Sequence, residues 1–178
     1  MQAVVIAAGE SKRFWPLNNG IHKSQFKLLG HSLIYWTLKG LAENDIKDVM
    51  VVVSKNSTIQ EMLAQENDLG INISYAIQEE PLGTGNALWQ AKDFTKESFV
   101  LLWGNKVGSK DLVKKVLALQ QEVVFVGTKV ADPSEYGVAR LEGDRLVEIV
   151  ENPEKGKEPS NIEIAGVRLL QPDFFEYY

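Results

Sequence analysis

The chain of 178 residues, 44% hydrophobic and 24% charged, is long enough for one sizeable core, so a single domain over 1–178 is expected rather than two. Its formal charge of −5, with basic residues scattered rather than in runs, argues against duplex nucleic acid and anionic membrane surfaces as partners. There is no cysteine, and His22 and His31 are the only histidines; disulfides and thiolate chemistry are excluded, a zinc centre is disfavoured, and with no basic leader or spanning apolar run a soluble cytoplasmic protein is expected.

Residues 3–8 (AVVIAA) form a continuous apolar run stopping at Gly9, the pattern of a strand buried on both faces of a parallel sheet. Beyond a loop, residues 32–41 carry apolar side chains at helical spacing behind Ser32, a candidate N-cap. Residues 49–53 read as a second buried strand, 57–66 as a helix and 71–77 as an alternating strand. Thr84 opens a helix over 84–94; residues 99–102 make another strand, 110–119 another helix and 123–130 one more strand. This alternation implies right-handed crossovers and a mostly parallel sheet with helices on both sides, an α/β/α fold whose ligands bind where strands end and loops begin.

After residue 130 the rhythm changes. Residues 137–141 and 145–150 flank Glu142-Gly143-Asp144, a hairpin signal read as a small β insertion at the sheet edge. Residues 152–161 are a loop rich in proline and lysine, and 164–170 a further strand. The last eight residues read as a helix just starting, with Pro172 in its first turn. A helix so short has little to stand on, and the domain is expected to be truncated at its C-terminal end.

The segment between the first strand and the first helix is the chemical centre of the sequence. A glycine ending a buried strand lets backbone N–H groups approach an anion, and Arg13 and Lys23 could add charge-assisted bonds to phosphate. A solvated loop with ordinary surface cations is the competing reading. The loop is not a P-loop, since no glycine-lysine-serine/threonine follows, and it lacks the three glycines of a dinucleotide fingerprint.

Taken whole, Ala7-Ala8-Gly9-Glu10-Ser11-Lys12-Arg13-Phe14-Trp15-Pro16-Leu17 with Lys23 resembles the signature loop of the sugar-1-phosphate nucleotidylyltransferases, usually A-A-G-x-G-T-R-x-x-P-L and then P-K. Further matches arrive in order: Gln78-Glu79-Glu80-Pro81-Leu82-Gly83-Thr84-Gly85-Asn86-Ala87-Leu88 is similar to the family's base-reading segment, residues 99–105 (FVLLWGN) to its metal-bearing strand end, and residues 132–138 (DPSEYGV) to its sugar-pocket turn. Glu151-Asn152-Pro153-Glu154 and Ala165-Gly166 resemble its sugar-binding loop and strand.

The resemblance implies a Rossmann-like, nucleotide-diphospho-sugar transferase type of fold. It also implies a reaction in which a sugar 1-phosphate attacks the α-phosphorus of a nucleoside triphosphate and pyrophosphate leaves. Mg²⁺ is the implied cofactor, the partners would be the triphosphate and the sugar 1-phosphate, and a homo-oligomer is compatible with it. Arg13 would meet the triphosphate and Lys23 the α-phosphate; Lys27 is the rival for that second role, but aligning Gly30-His31-Ser32 with the family's glycine-lysine-proline favours Lys23. Ala8, Gly9, Ser11 and Lys12 would line the nucleotide. The amide of Gln78 could read the imide edge of uracil or thymine, favouring UTP or dTTP, while Gly83 lets backbone approach the ring. Gln78 could equally be an exposed loop amide. Thr84 could cap its helix, touch nucleotide, or both. Gly137 would admit the sugar and Glu151 accept bonds from its hydroxyls; an edge-strand glycine and a solvated acid are the bland alternatives.

Several departures fall on the chemistry. Asn105 stands where the family places a metal-binding aspartate, and Mg²⁺ usually relies on carboxylates beside substrate phosphates. Ser11 and Lys12 replace glycine and threonine, His22 replaces the proline before Lys23, Asn152 replaces a lysine for the sugar phosphate with Lys155 and Lys157 nearby as substitutes, and Ile164 replaces an asparagine. Two expectations follow: a transferase of UMP or dTMP onto a sugar 1-phosphate, or a catalytically impaired homologue serving as a nucleotide-binding regulatory or partner subunit.

Overall fold

The computed structural model describes residues 1–17, 21–66 and 68–177, apart from the side chain of Arg13. In chain order its elements begin with β1 (Gln2–Ala7), the two-residue strands β2 (Lys27–Leu28) and β3 (His31–Ser32), α1 (Leu33–Ala42), β4 (Asp48–Ser54), α2 (Ile59–Glu66), β5 (Asn72–Gln78) and α3 (Thr84–Trp89). There follow β6 (Phe99–Trp103), α4 (Ser109–Ala118), β7 (Val124–Lys129), β8 (Gly137–Glu142), β9 (Arg145–Glu151), β10 (Ile162–Leu170) and a closing 3₁₀ turn, Pro172–Tyr177. Two compact units result: Met1–Val123 with Val167–Tyr178, and Val124–Gly166.

In the first unit the strands lie in the order β5-β4-β1-β6, all parallel. β1 sits between β4 and β6, so Ala3, Val4 and Val5 are wholly buried along with Val49, Val51, Val52 and Phe99; the unbroken apolar runs of the sequence are this two-faced burial. The end of β10 adds an antiparallel strand to β6, from Val167 opposite Leu102 to Leu170 opposite Phe99. Because the strands share one direction, Ala7, Ser54, Gln78 and Trp103 all end at the same edge. Right-handed crossovers put α1 and α2 on one face and α3, whose connection reverses from β5 back to β6, on the other.

Ser32 caps α1 as expected, its Oγ accepting from the Tyr35 N–H at 3.2 Å and donating to Glu66 Oε2 at 2.7 Å. α1 packs on α4 at Gly40, where a Cβ would lie 2.0 Å from Ser109 Oγ and 2.6 Å from the Lys110 nitrogen; only glycine permits that approach. Among the described residues no helix is long and apolar enough to cross a membrane.

Three expectations change. The helix over 84–94 ends at Trp89, because the chain beyond it turns with i to i−3 bonds, Ala91 to Leu88, Lys92 to Trp89 and Phe94 to Ala91. The final residues form a 3₁₀ turn rather than a nascent α-helix, held by packing: the Phe175 ring stacks on Phe99 at 5.9 Å and meets Trp89 edge-on at 6.1 Å. The strand over 123–130 is no member of the parallel set. As β7 it pairs with β10 in the second unit, where Gly127 lets the strands close up; a Cβ there would sit 2.6 Å from Ile162 Cγ2. The second unit is otherwise the expected hairpin, with β8 and β9 antiparallel around Gly143 at φ 61° and β8 paired to β10 through Val138 and Glu163.

Candidate active site

The carboxyl ends of β1, β4 and β5 open into two adjoining clefts. One, of about 270 Å³, is lined by Ala8, Gly9, Glu10, Ser54, Lys55, Asn56, Gln78, Glu79 and Pro81. The other, of about 160 Å³, shares Gly9, Glu10, Gln78 and Pro81 and adds Gly83, Thr84 and Ala87. The structure thus brings together Ala8, Gly9, Gln78, Gly83 and Thr84, although more than seventy positions separate the first from the last. Parallel pairing is what joins them, since Ser54 lies opposite Gln78 and Val53 opposite Ala7.

Gln78 is not an exposed loop amide. It is 4% exposed and its Nε2 spends both protons, on the Gly83 carbonyl at 3.0 Å and on Asn86 Oδ1 at 2.9 Å. The Gly83 carbonyl can only accept, which fixes the amide's orientation and leaves Oε1 as the atom with spare capacity. The donor half of the expected base reading is therefore used internally. Gly83 holds φ 93° and stands at the N-cap of α3; its backbone conformation, not a close contact, is what calls for glycine. Thr84 is then the first helical residue and does not cap the helix.

In the loop, Ser11 adopts φ 55°, ψ 25°, a left-handed conformation that costs most residues about 1–2 kcal/mol and explains why glycine suits this position. Its Oγ accepts from the Lys23 N–H at 2.9 Å, tying the two halves of the loop together. Lys12, largely exposed, pairs with Glu10 at 2.8 Å, so its charge offsets a carboxylate of the cleft wall. Arg13 lies in the 3₁₀ turn Lys12–Phe14, and its side chain falls outside the described residues. Lys23 opens a second 3₁₀ turn, Lys23–Gln25, capped by His22: the His22 Nδ1 accepts from the Ser24 N–H at 3.1 Å, and Gln25 Oε1 from the His22 N–H at 3.2 Å. Burial, and then the neighbouring Lys23 ammonium, bring the His22 imidazole down to about 4.

Beneath this turn β6 ends. The Gly104 N–H donates to the Ile6 carbonyl at 2.9 Å, and a Cβ at Gly104 would meet Ser24 Oγ at 2.7 Å and Ala7 Cβ at 3.1 Å. Next to it, Asn105 Oδ1 and Ser24 Oγ are buried without partners among the described residues. An unpaired amide oxygen can ligate a hard cation, but Mg²⁺ sites draw on carboxylates, and among the described residues no three histidine, aspartate or glutamate side chains gather closely enough to hold a metal ion. Among the described residues, the donors at this strand end do not by themselves fit a Mg²⁺ site.

In the second unit Gly137 and Glu151 are cross-strand partners. The space over Gly137, expected for a sugar, is covered by the Glu151 carboxylate, whose Oε1 would lie 2.7 Å from a Cβ there. Asn152 follows at φ 44°. Lys155 is bound to Asp132 at 2.9 Å and Lys157 to Glu154, so both lysines expected to replace the sugar-phosphate cation are engaged. The Asp132 carboxyl falls to about 2, chiefly through the Ser134 hydroxyl and then through Lys155.

Sequence reasoning missed Ser54, Lys55 and Asn56, and gave Glu79 and Asn86 no role of their own within the glutamine segment. The signal for the first three was the end of the second strand, which a parallel sheet carries to the same edge as the first. Lys55 pairs with Glu79 at 2.7 Å, neutralising the second carboxylate of the cleft as Lys12 does the first.

The model of the nucleotidyl transferase family matches residues 2–178. The chain is 30% identical over 179 residues to the bifunctional protein GlmU of Methanococcus maripaludis, covering 99% of this chain and 41% of that protein. It is 28% identical over 184 residues to a glucose-1-phosphate thymidylyltransferase of Xanthomonas campestris, covering 99% and 62%, so it spans between two fifths and about three fifths of these relatives. A structure of UDP-glucose pyrophosphorylase complexed with UDP-glucose superposes with a TM-score of 0.80 at 22% identity, over 98% of this chain and 77% of that one. A Bacillus anthracis protein solved with sucrose gives 0.84 at 21%, over 99% and 74%. The fold is thus the α/β fold of these structures, and with the glycine loop, the glutamine segment and the strand-end asparagine aligned along one edge, the chain belongs to the nucleotidyl transferase family.

Proposed function

We propose that the protein transfers a nucleotidyl group, UMP or dTMP, from a nucleoside triphosphate to a sugar 1-phosphate with release of pyrophosphate. The observation that carries this reading is the shared lining of the two clefts by Gly9, from the first strand's loop, and Gln78, from the end of β5: a place for phosphates and a place for a base, one beside the other. A phosphate oxygen of the sugar 1-phosphate attacks the α-phosphorus, the bond from that phosphorus to the bridging oxygen breaks, and the electron pair leaves with pyrophosphate. No covalent enzyme intermediate is required. The protein's work is to hold two mutually repelling polyanions in line and to stabilise charge as it develops.

Arg13 would meet the triphosphate and Lys23 the α-phosphate, with Ala8, Gly9, Ser11 and Lys12 shaping the loop and Gln78 Oε1 accepting from the base. Gly137 and Glu151 would meet the sugar once the carboxylate turns from Gly137 toward its hydroxyls. Mg²⁺, implied by the family resemblance, receives no step from this chain's residues, because Asn105 brings an oxygen without a charge. The competing reading, a non-catalytic partner subunit, is not favoured by relatives named as transferases.

Incubation with UTP or dTTP, Mg²⁺ and a panel of sugar 1-phosphates is expected to release pyrophosphate with at least one pair. No release with any pair, alongside micromolar nucleotide binding, overturns the transferase in favour of the binding subunit. Asn105→Asp restores the acid and is expected to steepen the dependence of the rate on Mg²⁺ concentration.

A further inference from the structure

His22 directly precedes Lys23 in the loop, and the structure gives its imidazole two distinct edges. One edge is structural: Nδ1 accepts from the Ser24 N–H at 3.1 Å and caps the turn Lys23–Gln25. A neutral imidazole carries a single ring proton, and a nitrogen that accepts cannot hold it. The proton is therefore on Nε2. That second edge faces the glycine loop: Nε2 lies 3.9 Å from where a Gly9 side chain would begin. Gly9 lines both clefts. Among the described residues nothing accepts a hydrogen bond from Nε2.

We propose that His22 is a binding residue of the phosphate loop, its Nε2–H donating a hydrogen bond to an oxygen of the phosphate chain beside Gly9. This rests on the transferase reading of the same cleft. The physics favours a neutral donor here. Lys23 follows immediately in sequence, and a second cation beside it would repel it; burial and that ammonium together keep the ring uncharged, with its value near 4. A neutral N–H therefore adds direction to the site without adding charge, while the Glu10 carboxylate that lines both clefts is already paired by Lys12. Proline at this position supplies a rigid entry to the turn but no contact with the ligand. Histidine supplies the turn through one nitrogen and the contact through the other.

Two substitutions separate the edges. His22→Asn keeps a side-chain oxygen that can accept from the Ser24 N–H, as asparagine does at N-caps, but is too short to reach the Gly9 loop. His22→Ala removes both edges. The probes are UTP and inorganic tripolyphosphate, the latter because it has phosphates and no base. With melting temperature as the check on folding, His22→Asn is expected to weaken both probes roughly tenfold, the order of one hydrogen bond to a charged group, and to melt close to the wild type. In the unsubstituted protein, ¹⁵N-edited spectra are expected to show the Nε2–H tautomer and a downfield shift of that proton on adding tripolyphosphate.

If His22→Asn binds both probes as tightly as wild type while Lys23→Ala binds them weakly, the inference about His22 is overturned and the phosphate loop stands. If neither substitution alters binding of either probe, the loop is no phosphate site and the transferase reading goes with it. A ring found protonated on Nδ1, or a proton on Nε2 that does not move on adding tripolyphosphate, also overturns the proposal.

Discussion

The strand-end cleft of the first unit and the Gly137–Glu151 corner of the second both carry residues that sequence assigns to substrate, yet they keep their polar groups in opposite ways. In the first unit, among the described residues, Ser24 Oγ and Asn105 Oδ1 are buried and unpaired, and nothing accepts a hydrogen bond from His22 Nε2. In the second unit the expected lysines are paired, Lys155 on Asp132 and Lys157 on Glu154, and the Glu151 carboxylate lies over Gly137. An unsatisfied buried polar atom costs about 1–3 kcal/mol, a cost that persists only where a rigid core enforces it. The first unit has that core in β1 and its neighbours. Exposed pairs such as Lys155–Asp132 contribute little and break at little cost. One region is held in place by packing; the other is held by surface pairs.

The contrast can be broken at its base. Phe99→Ala removes a ring that is wholly buried in β6 and stacked on Phe175, and should lower unfolding free energy by about 3–5 kcal/mol, read from the urea midpoint. An unchanged midpoint would mean the core does not enforce the cleft. Lys23→Ala should reduce pyrophosphate release about a hundredfold, or about 3 kcal/mol of transition-state stabilisation, with an unaltered circular dichroism spectrum; a rate within threefold of wild type would remove Lys23 from the chemistry.

A milder probe is acid. The folded His22 imidazole, at about 4, lies below its ordinary 6.5, so between those values the unfolded chain binds the extra proton and the folded one does not. Stability should fall as pH drops from 6.5 toward 4 and be regained over the same window in His22→Asn. A parallel loss in that variant would assign the acid sensitivity elsewhere. The smallest effect belongs to the second unit. Lys155→Ala should raise the Asp132 carboxyl only part of the way from about 2 toward 3.8, because the Ser134 hydroxyl is the larger cause; carboxyl chemical shifts against pH measure it. Any stability that this depressed value confers is present above the ordinary carboxylate range and is lost as pH falls through about 2.

The parallel half of the fold was legible because burial on both faces writes itself as unbroken apolar runs, as in Val49, Val51 and Val52, and because a short cap such as Ser32 acts on residues three positions away. The edge that gathers Gly9 and Gln78 was legible for the same reason, since parallel strands deliver their ends to one side. What stayed hidden depends on partners distant in sequence. β7 is only half-buried, so its residues do not distinguish a fifth parallel strand from a partner of β10. The shortness of α3 lies in i to i−3 bonds that the apolar pattern of residues 84–94 does not encode. The glycine at 137 signals room, but nothing local to it says that Glu151, fourteen positions on, fills that room first.

The bond from the Lys23 amide to the Ser11 hydroxyl, twelve positions apart, turns the intervening stretch into a ring closed at its neck. Closing a loop of twice the length costs only about 0.6 kcal/mol more. A peptide tag or a recognition sequence inserted clear of Arg13 can therefore be carried by this protein while the lysine at the clasp keeps its place.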